Sequence, residues 1–337
     1  MILEGTVLRG RSFEPVEGRV VVEDGEITTI EEARARSDDI ILPAFVNAHT
    51  HIGDSIAKEA GSGLSLEELV APPDGLKHRL LEQASQEEIT NAMRRTLQFM
   101  GAGGTAACLE FREGGVEGVR AFEDAIEGLD IAGVVLGRES TEAMELSDGF
   151  GASSTDDGEY GHERTATAEA GKLFGIHAGE LDPGDINPAL DLEPDFLVHM
   201  VHAGDVHLER VADSETPVVV CPRSNLVTDV GLPPVRELLD RTTVALGTDN
   251  AMLNSPSMFR EMAFTSKLTD ATPAEILAMA TVNGAEIADL DFGLVEEGRE
   301  AKLLVLDGDS DNLAGAKNPV RAVVQRAGIH DVSEVIL

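Results

Sequence analysis

Leu42-Pro43-Ala44-Phe45-Val46-Asn47-Ala48-His49-Thr50-His51 decides how the rest of the chain is organised. The apolar run Ile40-Ile41-Leu42 stops at Pro43, and a second apolar segment then ends in two histidines one residue apart. This reads as a buried strand. Residues i and i+2 of a strand project to one face, roughly 6–7 Å apart along the backbone, so two imidazoles near its end can converge on one metal ion. A pair of satisfied core histidines has the same short pattern, and the choice between them falls to the remainder of the chain.

Outward from this stretch, residues 43–290 alternate short apolar strands with helical stretches. The candidate strands are 45–51, Thr105–Phe111, Ile131–Leu136, Leu146–Gly151, Leu173–His177, Phe196–His199, Pro217–Cys221 and Thr243–Asp249. Helical spacing marks Gln86–Met100 and Pro273–Ala280 between them. Continuous apolar strands alternating with helices imply a parallel sheet covered by helices, and eight such units in about 250 residues fit a (β/α)8 TIM barrel. The acidic, glycine-bearing stretch Ser153–Glu163 reads as a mobile surface loop.

The flanks differ. Residues 1–42 alternate apolar and polar around Asp24-Gly25, a hairpin signal. Lys302–Asp307 and Val320–Gln325 have the same strand-like texture. The expectation is a small β-sandwich domain built from both termini, 1–42 with 291–337, bracketing a catalytic barrel domain at 43–290.

Composition narrows the function. Lys and Arg total 26 against 62 Asp and Glu, a formal net charge of −36 spread along the whole chain. Such a charge repels phosphate backbones and anionic membranes, so neither nucleic acid nor membrane is an expected partner. It resembles proteins of salt-accumulating cells, where dissolved salt screens self-repulsion. No run of about 18 apolar residues suggests a span, and no leader is read at the N-terminus. Cys108 and Cys221 sit in apolar runs and read as reduced core thiols of a cytoplasmic protein.

Barrel chemistry sits at the C-terminal ends of strands. The polar residues there are His49, His51, His177 with Glu180, His199 and Asp249, and histidines with a carboxylate suit zinc or iron(II). Five ordered motifs now coincide: Leu42–His51, His177-Ala178-Gly179-Glu180, Leu197–His202, Cys221-Pro222-Arg223-Ser224-Asn225 and Leu246-Gly247-Thr248-Asp249. Together they resemble the amidohydrolase superfamily, in its branch of cytosine, guanine and adenosine-derivative deaminases and chlorohydrolases. The likeness runs through Gly298–Asp307, where Lys302 departs from the family's usual pattern.

That resemblance implies one divalent ion, Zn2+ in preference to Fe2+, held by His49, His51, His177 and Asp249. With no lysine ending the fourth strand, it implies a mononuclear site. Asp249 would also take a proton from the attacking water, Glu180 would protonate a ring nitrogen of the substrate, and His199 would polarise the water or the developing oxyanion. The product would be a carbonyl compound and ammonia. Asn225, Arg112 and Lys77 are candidate substrate contacts, though Asn225 also suits a turn and Lys77 a surface basic cluster. Phe111 and His78 are the rings available for stacking a base. The expected function is a deaminase of a nucleobase, nucleoside or related N-heterocycle, in a homo-oligomer such as a dimer. The alternatives are a cyclic amidase or chlorohydrolase on the same site, or an inactive barrel used as a binding scaffold.

Overall fold

The computed structural model describes residues 1–70 and 75–337. The central parallel sheet contains Phe45–His51, Thr105–Arg112, Ala132–Gly137, Gly149–Ala152, Leu173–Ala178, Phe196–His199, Val218–Val220, Val244–Leu246 and Asp249–Asn250, each neighbouring the next except at the end. Val244–Leu246 pairs with Val218–Val220, whereas Asp249–Asn250 pairs with the first strand, Asp249 opposite Thr50. These edge segments are consecutive in the chain, so the sheet curls round to meet itself and the fold is of TIM-barrel type. Asn47 stitches the join: its amide donates to Thr248 Oγ1 at 2.7 Å, and its carbonyl oxygen accepts from Thr248 N at 3.0 Å. Gly247 lets the two strands approach, because a Cβ there would lie 2.9 Å from the backbone nitrogen of His49.

Local signals explain the outer helices. Gln86–Ala102 begins with a capping box in which Ser85 and Glu88 satisfy each other's backbone nitrogens, and Thr272 with Glu275 does the same for Pro273–Met279. Strand parity sorts the packing. On Thr105–Arg112, Ala107, Leu109 and Phe111 fill the barrel interior, while Cys108 faces the helical layer. Both cysteines are free and buried.

The termini form one six-stranded sheet, in the order Val332–Ile336, Leu303–Leu306, Ile40–Pro43, Ile2–Arg9, Glu14–Glu23, Glu26–Glu32. The sandwich expected from the sequence is not confirmed: among the described residues the terminal strands form this one sheet. One face gathers Leu3, Val7, Val20, Ile27, Ile41, Leu303 and Val305 into its own cluster. The opposite face, with Leu8, Ile40, Leu42, Leu304 and Leu306, joins the large core beside the barrel. A second correction concerns Val320–Gln325, which is helical as part of Pro319–Gln325. Asn318 accepts from Arg321 N at 2.8 Å and Pro319 occupies the first turn; this cap outweighs the β-branched valines. The helix packs against Met258–Leu268 and Pro273–Met279 rather than joining the sheet. No helix among the described residues is long and apolar enough to cross a membrane.

Candidate active site

Four candidate donors arrive from three strands. His49 and His51 share a face of the first strand, His177 lies near the end of the fifth, and Asp249 opens the segment after Gly247-Thr248. His177 Nε2 lies 3.3 Å from His49 Nε2 and 3.4 Å from His51 Nε2. Asp249 Oδ1 lies 3.4 Å from His49 Nε2 and 3.8 Å from His51 Nε2. Tetrahedral coordination with bonds of about 2.0–2.1 Å places donor atoms about 3.3–3.4 Å apart, so three of these four spacings match a zinc-sized ion and the fourth is slightly long.

The rings of His51 and His177 are held with their lone pairs inward, while His49 Nδ1 has no partner among the described residues. His177 Nδ1 donates to Ala152 O at 2.8 Å, and His51 Nδ1 is 3.1 Å from Phe111 O and 2.7 Å from Glu113 Oε1. A carbonyl oxygen can only accept, so the ring proton sits on Nδ1 and Nε2 is left as a bare donor. Burial lowers the pKa of all three histidines: His51 to about 3, helped by the nearby Lys77 charge, and His177 well below its ordinary value, helped by its three histidine neighbours. Neutral imidazoles are the form that binds metal. Asp249 Oδ2 accepts from Ser224 Oγ at 2.5 Å, and Oδ1 accepts from Asn250 Nδ2 at 2.9 Å.

Beside the donors stand Glu180, His199 and Asn225. Gly179, at φ 66°, turns the chain after the fifth strand, and Asp185 Oδ1 fixes the turn by accepting from Gly179 N at 2.8 Å. This aims Glu180 at His199, Oε2 to Nε2 3.5 Å. Asn225 Nδ2 lies 3.1 Å from His199 Nδ1 and 3.5 Å from Glu180 Oε1, tying the two together. Burial pushes the Glu180 carboxyl up to about 7. His199 and Asp249 both adopt left-handed backbone conformations, φ 79° and 57°, strain of the kind folds tolerate at functional positions.

Comparison with known proteins follows the same lines. The family model described as "Amidohydrolase family" matches residues 40–179 and 161–332. The chain belongs to the amidohydrolase family. It is 34% identical to a Methanothermobacter thermautotrophicus protein named "Putative aminohydrolase", over 100% of this chain and 97% of that protein. It is 28% identical to a Haloarcula marismortui protein named 5-methylthioadenosine/S-adenosylhomocysteine deaminase, over 94% of this chain and 84% of that protein. The fold is similar to that of a zinc-bound adenosine deaminase from Xanthomonas campestris, with a TM-score of 0.81 at 18% identity over 100% of this chain and 91% of that one.

In this amidohydrolase a cavity of about 170 Å³ opens over the cluster, lined among others by His51, Lys77, Arg138, His177, Glu180 and Asp249. Lys77 reaches it, but its ammonium is engaged by Glu113 Oε1 at 2.5 Å and Asn250 Oδ1 at 3.1 Å. Arg112 does not reach it, which corrects its reading as a substrate contact. Arg112 shares strand parity with Cys108 and Glu110, so it points into the helical layer, where Glu110 and Glu113 pair with it at 3.0 and 3.2 Å. Phe111 has the opposite parity and packs edge-on beneath His49 and His177, leaving it no face for a substrate ring. No Phe or Tyr lines the cavity among the described residues; His78 does, with Nε2 3.0 Å from Val70 O. Within the stretch Ser153–Glu163, Ser153, Ser154, Asp156 and Asp157 line the cavity, and Gly161 starts a helix. The lid candidate between the first two strands includes residues 71–74, which lie outside the described residues. Sequence reasoning missed Glu113, Arg138, Ser224 and Asn250, which support or line the site. Each follows or ends an apolar strand, or neighbours a residue that does, and this was the signal that could have found them.

Proposed function

We propose that this amidohydrolase is an aminohydrolase that replaces the exocyclic amino group of a small N-heterocycle, such as a nucleobase or nucleoside, with oxygen. The observation that carries the reading is the convergence of three neutral imidazoles and one carboxylate beside Glu180, a carboxylic acid whose pKa of about 7 suits proton transfer near neutral pH. His49, His51, His177 and Asp249 would hold one divalent ion, zinc in preference to iron, and that ion would make a water acidic enough to ionise near neutrality.

This chain's own groups carry the remaining chemistry. Glu180 gives its proton to the ring nitrogen next to the amino-bearing carbon, which makes that carbon electrophilic. Asp249 accepts a proton from the water as its oxygen adds to the carbon, and the proton passes to the amino group. The C–N bond breaks, ammonia leaves, the added oxygen's remaining proton returns to Glu180, and the ring keeps a carbonyl oxygen. His199, held by Asn225, presents Nε2 toward the developing oxygen charge. Residues 43–290 are the proposed catalytic domain, and a homodimer is the proposed assembly.

The test is ammonia release from a panel of nucleobases, nucleosides and pterins in molar potassium chloride. 5-Methylthioadenosine and S-adenosylhomocysteine belong in it because of the name of the Haloarcula relative. Ammonia from one class with about one ion per chain is expected. Chloride release from a chlorinated triazine without ammonia release would replace the deaminase reading, and a chain without bound metal would overturn it.

A further inference from the structure

The helix Leu76–Gln83 is held to the barrel in an unusual way. It has eight residues, too few to persist alone in water, and Lys77 is its only fully buried side chain. A surface helix ordinarily docks through an apolar stripe; here Leu80 is half-buried and the deepest anchor is an ammonium group. That ammonium sits between Glu113 Oε1, at 2.5 Å, and Asn250 Oδ1, at 3.1 Å. Both partners lead to the ion donors: Glu113 Oε1 lies 2.7 Å from His51 Nδ1, and Asn250 Nδ2 donates to Asp249 Oδ1 at 2.9 Å.

Neutralising Glu113 does not require Lys77. Arg112 and Arg138 already pair with that carboxylate at 3.2 and 3.3 Å, so Lys77 is its third cation. What Lys77 adds is a connection. The line His51–Glu113–Lys77–Asn250–Asp249 joins two donors from different strands through a group carried on a short outer helix. Groups of this kind fix the ring or carboxylate orientation of a metal ligand, and their loss typically weakens metal binding 10–100-fold.

We propose that Lys77 is a positioning residue that couples docking of helix Leu76–Gln83 to occupation of the ion site, by orienting His51 through Glu113 and Asp249 through Asn250. The coupling is reciprocal: an ion that fixes His51 and Asp249 also fixes the two groups that hold Lys77, and so protects the helix. Lys77 has this role in place of a direct substrate contact. The inference rests on the reading that His49, His51, His177 and Asp249 hold an ion.

Hydrogen exchange of the full chain, stripped by chelator and then titrated with zinc, tests it. In the unaltered protein, zinc should slow amide exchange in residues 76–83 by about tenfold or more, while a distant helix such as Pro319–Gln325 stays unchanged. Lys77→Met should raise the zinc dissociation constant about 10–100-fold, read by chelator competition, and abolish the protection. Lys77→Arg should recover part of both. Zinc that binds tightly without altering exchange in residues 76–83 overturns the coupling and leaves the ion site standing. Absence of zinc binding to the unaltered protein overturns both. If Lys77→Met does not fold, the exchange measurement on the unaltered chain decides alone.

Discussion

Two buried polar clusters meet at the 2.7 Å contact between His51 and Glu113, and they are satisfied in opposite ways. Glu110, Arg112, Glu113, Arg138 and Lys77 form a closed ion network with contacts of 2.5–3.3 Å, every charge answered from within the chain. His49, His51 and Asp249 are as deeply buried and His177 is half-buried, yet the bare Nε2 atoms of His51 and His177 face each other at 3.4 Å with His49 Nε2 and Asp249 Oδ1 beside them. Buried polar groups need partners, and the acceptor nitrogens of His51 and His177 have none to offer each other. The first cluster is complete as a folded object; the second, on the proposed reading, would be completed by a cation. The difference teaches where structure ends and chemistry begins in this barrel, although both clusters sit at the mouths of adjacent strands.

The comparison can be broken at several points. Glu180→Gln should lower kcat about 10²–10⁴-fold with metal content unchanged, because it removes a proton donor while sparing the ion donors; steady-state ammonia release with elemental analysis checks both halves. Arg112→Met should leave turnover chemistry in place but destabilise the fold by about 3–5 kcal/mol, since Glu110 would be left as an unpaired buried carboxylate. Urea unfolding measures that loss. If the variant were as stable as the parent, the ion network would not be the self-completing cluster described.

The pH dependence sharpens the contrast. The Glu180 carboxyl, raised by burial to about 7, must be protonated to act as the acid, so kcat/KM should hold below that pH and fall about tenfold per unit above it. A rate profile that keeps rising past pH 8 contradicts the assignment. The smallest effect concerns the surface. At a net charge of −36, exposed carboxylates repel one another, and the screening length shrinks from about 10 Å to about 3 Å between 0.1 and 1 M salt. Melting temperature should therefore rise by a few degrees with potassium chloride. The two buried clusters, shielded from solvent ions, contribute little to that slope.

What the sequence by itself determined were the features set by local pattern. Apolar strands alternating with helices specified the barrel, Asp24-Gly25 the hairpin, and polar residues ending apolar strands the candidate set His49, His51, His177, Glu180, His199 and Asp249. Gly179 could be read as the turn that aims Glu180, because few other residues accept that backbone. Tertiary structure alone decided which residue at a strand mouth faces substrate and which faces its neighbours. Arg112 and Phe111 looked like pocket residues, but strand parity sends one into the helical layer and packs the other beneath the histidines. The helix at Pro319–Gln325 was decided by its cap and its packing against two barrel helices, over the strand preference of its valines. Glu113 and Asn250 gained their roles from Lys77, 36 and 173 residues away in the chain, and no local pattern carries that information. Periodicity fixes the direction of a side chain relative to its own element; only the closed barrel decides what stands opposite it.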